Sequence, residues 1–469
     1  MIERVIVIGA GVTGLATAWK LVSCGIPVTI IEKEKVVGGL AGSVDWDGWK
    51  FDYGPHNFHT YDEEIINFYK EILPGDFIER KPNVKVFIFN KLISYPLMGT
   101  DVFLSLSGTK MAQAFVDFLF TRSKAFFYGM QKTEYLDEWI KLRFGRILYE
   151  TYFGPYIQRI WKTDPHKLSK TMGELKIPVL SIRNFIKREI FKNNRIDPND
   201  LSHWKSYYVK GGVGQISGYL AKNLIQSGDA VLKIEEEVDS IEVGHGRINA
   251  INTSRGRIDA SSAYVVSTIP LNILMQKILN APKETRLRTS LLEYCSERFF
   301  FMRINKPRVS GFDWTYFSEN KYPFNRVSEF TFDQLKMVPY GYSSLTFEFP
   351  CNIGDWEWVA SDDEIVNAIL PLYNEVFGLK REEIIDYRSV FQNYAYPRYA
   401  IGYEAALKDI FNYIGKIDNL CTAGRQGAFC YLNLDGATRM GLDIAEEIII
   451  HKKPEKKYAE LLKKYHNIK

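Results

Sequence analysis

The first 32 residues constrain this chain more than any other stretch. Val5-Ile6-Val7-Ile8 is a short β-branched run of the kind that forms a strand buried on both faces. Gly9-Ala10-Gly11-Val12-Thr13-Gly14 follows without a break. Leu15 to Ser23 then has helical character, Cys24-Gly25-Ile26-Pro27 reads as a turn, and a second strand, Val28 to Ile31, ends at Glu32. The spacing gives each glycine its own role. Gly9 permits the tight turn out of the strand, Gly11 lets the backbone approach a pyrophosphate with no Cβ in the way, and Gly14 lets the helix pack on the sheet. The free N–H groups and positive dipole end of that helix face the phosphates. Glu32 stands 18 residues past Gly14, where an acid accepts hydrogen bonds from the adenosine ribose hydroxyls, which argues against a 2′-phosphate. A glycine triplet alone is weak evidence. Here strand, glycines, helix, strand and acid occur in order, so the segment is expected to hold an ADP-containing dinucleotide.

Composition bounds the remainder. A chain of 469 residues is long enough for roughly two to three domains around a large core. The aromatic share, 14%, is high enough to fill such a core or to wall a pocket with rings. A net charge of +4 is too small to argue for nucleic acid or an anionic membrane as partner. Cys24, Cys295, Cys351, Cys421 and Cys430 are scattered and form no C-x-x-C pair, which predicts no disulfide framework and no metal site, and suits a reducing cytoplasm. No secretory leader is read at the N-terminus. The most apolar stretch, Met111 to Met130, is broken by Asp117, Arg122 and Lys124, so it is expected to be a helical lid or core hairpin and not a membrane span. The run Lys452, Lys453, Lys456 and Lys457 reads as a solvated tail.

Further motifs punctuate the chain. Gly38-Gly39-Leu40 follows the acid closely, and Gly54-Pro55-His56 lies within Phe51 to Thr60. Lys81 to Leu97 alternates apolar and polar residues like a hairpin, and 98 to 195 read mainly as helices. Among them Tyr156 and Trp161 precede Asp164-Pro165. The glycine-rich turn Lys210-Gly211-Gly212-Val213-Gly214 opens a helix from Ile216 to Gln226. Glu235 to Ile241 and Val265 to Pro270 read as strands. Trp314-Thr315-Tyr316 and Pro323-Phe324-Asn325-Arg326 follow, then Tyr396-Pro397-Arg398. Last comes Gly424-Arg425-Gln426-Gly427, with Tyr431 and Asn433-Leu434-Asp435 preceding a helix that runs through Glu447. Gly424 and Gly427 allow backbone to approach a flat ligand, and the helix N-terminus favours negative charge there.

On these motifs the chain resembles, over nearly its whole length, the FAD-dependent amine oxidase, protoporphyrinogen oxidase and UDP-galactopyranose mutase superfamily. Its substrate segments are most similar to the eukaryotic-type mutases. The resemblance implies an α/β fold: a Rossmann-like FAD-binding domain of the GR2 type, with an inserted mixed α+β substrate domain and a helical segment. The FAD-binding domain is expected over 1–80, 206–280 and 391–450, the substrate domain over 81–205 and 281–390, and a tail over 451–469.

The resemblance also implies roles. FAD would be held by Gly9, Gly11, Gly14 and Glu32, by Gly38, Gly39 and Leu40 along the pyrophosphate and ribityl chain, and by the Val238 backbone at the adenine. His56, Gly424, Arg425, Asn433, Leu434 and Asp435 would stand around the flavin. Tyr156, Trp161, Tyr316, Arg326, Tyr396 and Tyr431 would bind substrate, with Arg326, His56, Tyr396 and Tyr431 as the catalytic set. A planar guanidinium at Arg326 suits the oxygens of a diphosphate.

Two reactions fit that expectation. In the mutases, reduced flavin N5 attacks the anomeric carbon of a nucleotide sugar, and the ring reopens and recloses in the other size. This reading, with a nucleotide sugar as small-molecule partner, is the favoured one. The alternative is an FAD-dependent oxidoreductase like protoporphyrinogen oxidase or an amine oxidase, removing hydride from a C–N or C–C bond. One departure weighs against a mutase proper: Leu175 occupies the position of a second diphosphate-binding arginine, with Lys176 beside it. A non-enzymatic flavin scaffold is argued against by the intact Gly9, Gly11, Gly14, Glu32 and Gly424.

Overall fold

The computed structural model describes residues 3–95, 105–106, 108–128, 132–176, 206–333 and 335–451. The β-branched runs found in the sequence assemble a five-stranded parallel sheet in the order Ala230–Lys233, Val28–Ile31, Arg4–Ile8, Ala263–Ser267 and Leu420–Thr422. Val5, Ile6 and Val7 are fully buried, as expected of a strand covered on both faces. On one face the helix Val12–Ser23 packs against the C-terminal helix Leu434–His451. A Cβ at Gly441 would lie 2.5 Å from the Thr13 carbonyl oxygen, so only glycine allows this approach. Thr13 Oγ1 donates to the Ala437 carbonyl and Thr17 Oγ1 to that of Gly441, each at 3.0 Å, and these bonds tie the first helix to the last.

A second, seven-stranded sheet runs in the order Ile384–Arg398, Glu293–Ile304, Ser343–Cys351, Arg326–Thr331, Trp314–Phe317, Val84–Ile88 and Lys91–Ser94. Its pairs are antiparallel, except that Trp314–Phe317 runs parallel to Val84–Ile88. Period-two alternation gives it two different faces. Phe300, Met302, Phe347 and Phe349 form an apolar layer with Ile365, Val366, Ile369 and Tyr373 of the helix Asp362–Phe377. That helix starts on a capping box in which Ser361 and Glu364 satisfy each other's backbone N–H groups. The other face carries Phe299 and Phe301, covered by Phe51 from the hairpin Ser43–Trp46/Trp49–Asp52, with the Phe51 and Phe301 rings stacked at 4.7 Å.

Asp52 ends that hairpin and is fully buried. It accepts hydrogen bonds from Tyr208 Oη at 2.6 Å, Ser43 Oγ at 2.5 Å and the Val213 N–H. Burial outweighs these bonds and raises its carboxyl to about 6. The bonds fasten the hairpin to the glycine turn that opens the helix Gly214–Ser227.

The expected α/β fold with a Rossmann-like domain and a mixed second unit is therefore present. The hairpin expected over Lys81 to Leu97 is the pair Val84–Ile88 and Lys91–Ser94. The strand Ile384–Arg398 runs continuously through position 390, so the boundary expected there falls inside a strand. Of the helices expected over 98–195, those within Gly108–Lys176 are described. The stretch from Ile177 and the lysine tail lie outside the described residues. Among the described residues no helix is long and apolar enough to cross a membrane, and no group of His, Cys, Asp or Glu side chains could hold a metal.

Candidate functional site

The glycine turn sets the dinucleotide half. Gly9 has φ +103°, and a Cβ there would collide with Thr268 Oγ1; one at Gly14 would collide with the Gly9 carbonyl oxygen. Protein packing alone therefore requires both glycines. Gly11 differs: its φ is −70°, open to any residue, and among the described residues a Cβ there would meet nothing within 4 Å. Packing gives no reason for glycine at this position, whereas a pyrophosphate lying against the backbone would.

Glu32 is nearly buried. Its Oε2 accepts from the Ala10 N–H at 2.7 Å and its Oε1 from the Glu34 N–H at 2.9 Å. The acid thus braces the glycine turn and keeps lone pairs for a ribose. The Gly38 N–H donates to the Ala10 carbonyl at 2.9 Å, bringing Gly38, Gly39 and Leu40 against the turn. The Glu236 N–H donates to the Glu32 carbonyl, which sets the strand that begins at Val238 beside the acid.

At the C-terminal wall two sequence expectations change. The close approaches made by Gly424 and Gly427 are to the protein itself: a Cβ would lie 2.7 Å from Thr13 Oγ1 at the first and 2.7 Å from the Ser267 carbonyl at the second. These glycines let the wall dock on the parallel sheet. Asp435, expected ahead of the last helix, lies in its first turn, because the helix starts at Leu434 and Asn433 accepts its first bond.

The remaining predicted residues converge on the polar side of the seven-stranded sheet. Tyr316, Arg326, Glu348 and Phe299 are directly opposed in register across four neighbouring strands, so their side chains share one face. Arg326 donates from Nε and Nη2 to the two oxygens of Glu348 at 2.6 and 2.5 Å, and from Nη1 to Tyr316 Oη at 3.3 Å. Tyr396 and Tyr431 stack at 5.5 Å with 12° between planes, and the Arg425 guanidinium lies 4.8 and 5.4 Å from their ring centres. Arg425 is aimed by its Nε donating to the Leu432 carbonyl at 2.7 Å. Trp161 meets Tyr396 edge-on at 6.4 Å, and Tyr156 stacks on Tyr152 at 5.8 Å. The Tyr156 hydroxyl is within electrostatic range of Tyr316 and Arg326.

The loop that carries His56 closes over this row. Gly54, at φ +78°, rests against the Glu348 carboxylate, where a Cβ would sit 2.5 Å from Oε1. Burial together with the charges of Arg425 and Arg326 lowers the His56 imidazole to about 3, so the ring is neutral. Among the described residues its Nε2 is buried without a hydrogen-bond partner, as are Asn57 Oδ1 and Gln426 Oε1. Such unpaired atoms are costly, and a polar ligand at this wall would satisfy them. Together with the free space at Gly11 they fit a dinucleotide whose polar ring lies at this wall.

Sequence reading missed Glu348, Glu297 and Tyr95. Glu348 and Glu297 are 1% and 3% exposed, and the Tyr95 ring lies 5.5 Å from that of Tyr316. A glutamate flanked by phenylalanines in a strand-like run, as in Phe347-Glu348-Phe349, was the available signal for the first. Leu175, which the resemblance set at the position of a second arginine, is exposed on the short helix Thr171–Lys176.

The family model described as an NAD(P)-binding Rossmann-like domain matches residues 7–72. The structure is similar to that of reduced UDP-galactopyranose mutase, with a TM-score of 0.80 and 17% identity over 98% of this chain and 97% of the other. It is also similar to putrescine oxidase bound to putrescine, with a TM-score of 0.65 and 17% identity over 95% and 99%. A sequence relative is the 1-hydroxycarotenoid 3,4-desaturase of Flavobacterium sp. (strain P99-3), 23% identical over 70% of each chain. The fold is thus the one shared by FAD-dependent oxidoreductases and UDP-galactopyranose mutase. The neighbours in structure and sequence fall in the FAD-dependent amine oxidase and desaturase superfamily, whose members are flavin-type enzymes.

Proposed function

We propose that this chain is an FAD-dependent enzyme acting on a nucleotide-activated sugar. The observation that carries the reading is the cluster on the polar face of the antiparallel sheet, where Tyr316, Tyr396, Tyr431 and Tyr156 surround the guanidiniums of Arg326 and Arg425. Burial raises the Tyr156 and Tyr396 phenols far above neutrality, so they stay protonated and donate. Donors and cations in that arrangement suit phosphate oxygens. An apolar polyene offers no oxygens to the two Arg326 N–H groups that Glu348 and Tyr316 leave over.

The glycine turn, Glu32, the Gly38–Leu40 loop and the Val238 backbone would hold FAD along its ADP half; Arg425, Asn433, Leu434 and Asp435 would border its ring. FAD supplies a ring able to give or accept an electron pair. The chain's own part is to hold the diphosphate against Arg326 and Arg425, to turn the sugar toward the His56 loop, and to exclude water beneath Trp161 and Tyr396.

One observation favours a second reading, an FAD-dependent oxidoreductase. Three of the five guanidinium N–H donors of Arg326 are already engaged by Glu348 and Tyr316, which leaves two for a diphosphate. The two readings separate in one experiment. The FAD-loaded protein is reduced with dithionite and given UDP-galactopyranose, and a furanose product is sought by chromatography. A furanose peak supports the first reading. No isomerisation of any sugar nucleotide, with oxidised flavin bleached by an amine or a polyene, supports the second.

A further inference from the structure

Glu297 is a second carboxylate on the polar face of the sheet, and it lacks what Glu348 has. The strand Glu293–Ile304 places it one pleat beyond Phe299, on the same face as Glu348 and Arg326. Phe299 lies under Tyr53, with ring centres 5.2 Å apart, at the edge of the aromatic cover from the hairpin. Beyond that edge the Glu297 side chain faces Arg326, Arg425 and Tyr396, all members of the cluster described above. Glu297 is 3% exposed, and its Oε2 is sealed from solvent with no hydrogen-bond partner among the described residues. Both oxygens of Glu348, by contrast, are taken by Arg326.

A buried carboxyl with an unused oxygen lowers stability unless something else satisfies it, and buried unsatisfied groups concentrate where ligands bind. We propose that Glu297 is the residue that recognises the sugar, through a hydrogen bond between its buried Oε2 and a ring hydroxyl of the substrate. This rests on the nucleotide-sugar reading and divides the labour within the site: the arginines and tyrosines take the phosphates, and Glu297 takes the hexose. Burial and the adjacent Glu348 carboxylate hold the Glu297 carboxyl above its usual range, against the pull of Arg326 and Arg425. At neutral pH it therefore carries a proton to donate, and a sugar hydroxyl is both acceptor and donor.

The test compares UDP with UDP-galactose by calorimetry on the FAD-loaded, dithionite-reduced protein, using wild type, Glu297→Leu, Glu297→Gln and Glu297→Asp. UDP affinity is expected to stay within about twofold throughout, because UDP lacks the hexose. UDP-galactose binding is expected to weaken about tenfold or more in Glu297→Leu and Glu297→Asp, and to stay within about threefold in Glu297→Gln, which keeps a donor of the same length. Glu297→Leu is also expected to melt higher than wild type without ligand, the opposite of what loss of a structural contact would do. Unchanged UDP-galactose binding in Glu297→Leu overturns the proposal while leaving the reading of the site intact. Where that variant does not fold, unchanged binding in Glu297→Asp overturns it equally. Wild type that binds neither ligand removes the nucleotide-sugar reading itself, and the role of Glu297 falls with it.

Discussion

Arg326 and Glu348 face one another across neighbouring strands, the guanidinium donating to both carboxylate oxygens at 2.6 and 2.5 Å above a glycine, Gly54, that leaves no room for a side chain. Glu348 is 1% exposed, so each partner is the other's counter-charge. Glu348→Gln strands a buried cation and is expected to lower unfolding free energy by about 3 kcal/mol. The double variant Arg326→Met/Glu348→Gln should lose clearly less than the sum of the single changes. Denaturant titration of all four proteins measures this coupling. Additive losses would mean that the pair is not a unit.

The glycines of the first turn should separate folding from cofactor binding. A Cβ at Gly14 collides with the Gly9 carbonyl, whereas one at Gly11 meets nothing within 4 Å among the described residues. Gly14→Ala is therefore expected to be destabilised by about 2 kcal/mol or more. Gly11→Ala should melt near wild type as apoprotein yet fail to turn yellow in excess FAD. A yellow Gly11→Ala protein with wild-type flavin content would count against a pyrophosphate at this turn.

His56 predicts an acid limb in stability. Its imidazole titrates near 6.5 when unfolded and near 3 when folded. As pH falls below about 6.5 the unfolded chain takes up a proton that the folded chain refuses, so stability is full above that pH and is lost toward pH 3. Asp52, raised from 3.8 to about 6, works the other way between those values, because its folded form keeps the proton longer. Comparing wild type with His56→Gln leaves Asp52 constant. The variant should lose stability less steeply between pH 6 and pH 4 in melts taken across that range, and parallel curves would refute a buried neutral His56.

Tyr396 and Tyr431 offer a test of hydroxyl against ring. Their rings stack at 5.5 Å beneath Arg425. Phenylalanine preserves the stack, so each Tyr→Phe change should move stability by less than about 1 kcal/mol. UDP affinity should fall about ten- to hundredfold for each hydroxyl removed, the worth of one hydrogen bond to a charged group. Unaltered UDP binding in both variants would place the phosphates elsewhere.

The dinucleotide unit was legible in the chain because its determinants are local. Strand, turn glycines, helix and Glu32 follow one another within 32 residues, and a glycine's backbone freedom or a β-branched run acts over a few positions. Tyr316, Arg326, Tyr396 and Tyr431 could be picked out by resemblance, and the fold brings them together. What binds each of them could not be read. The Glu348 that occupies Arg326 lies 22 residues downstream, and only the register of three antiparallel strands turns Tyr316, Arg326 and Glu348 into one row. A shift of one residue would send Glu348 to the apolar face beneath the helix Asp362–Phe377. Likewise, Gly424 and Gly427 carried a sequence signal for close approach, but the partner approached was decided by packing on Thr13 and Ser267. Local backbone chemistry specified the turn that would hold the cofactor. The pairing of strands far apart in the chain specified that both Glu348 oxygens are spent on Arg326, while the Glu297 Oε2 is left without a hydrogen-bond partner among the described residues.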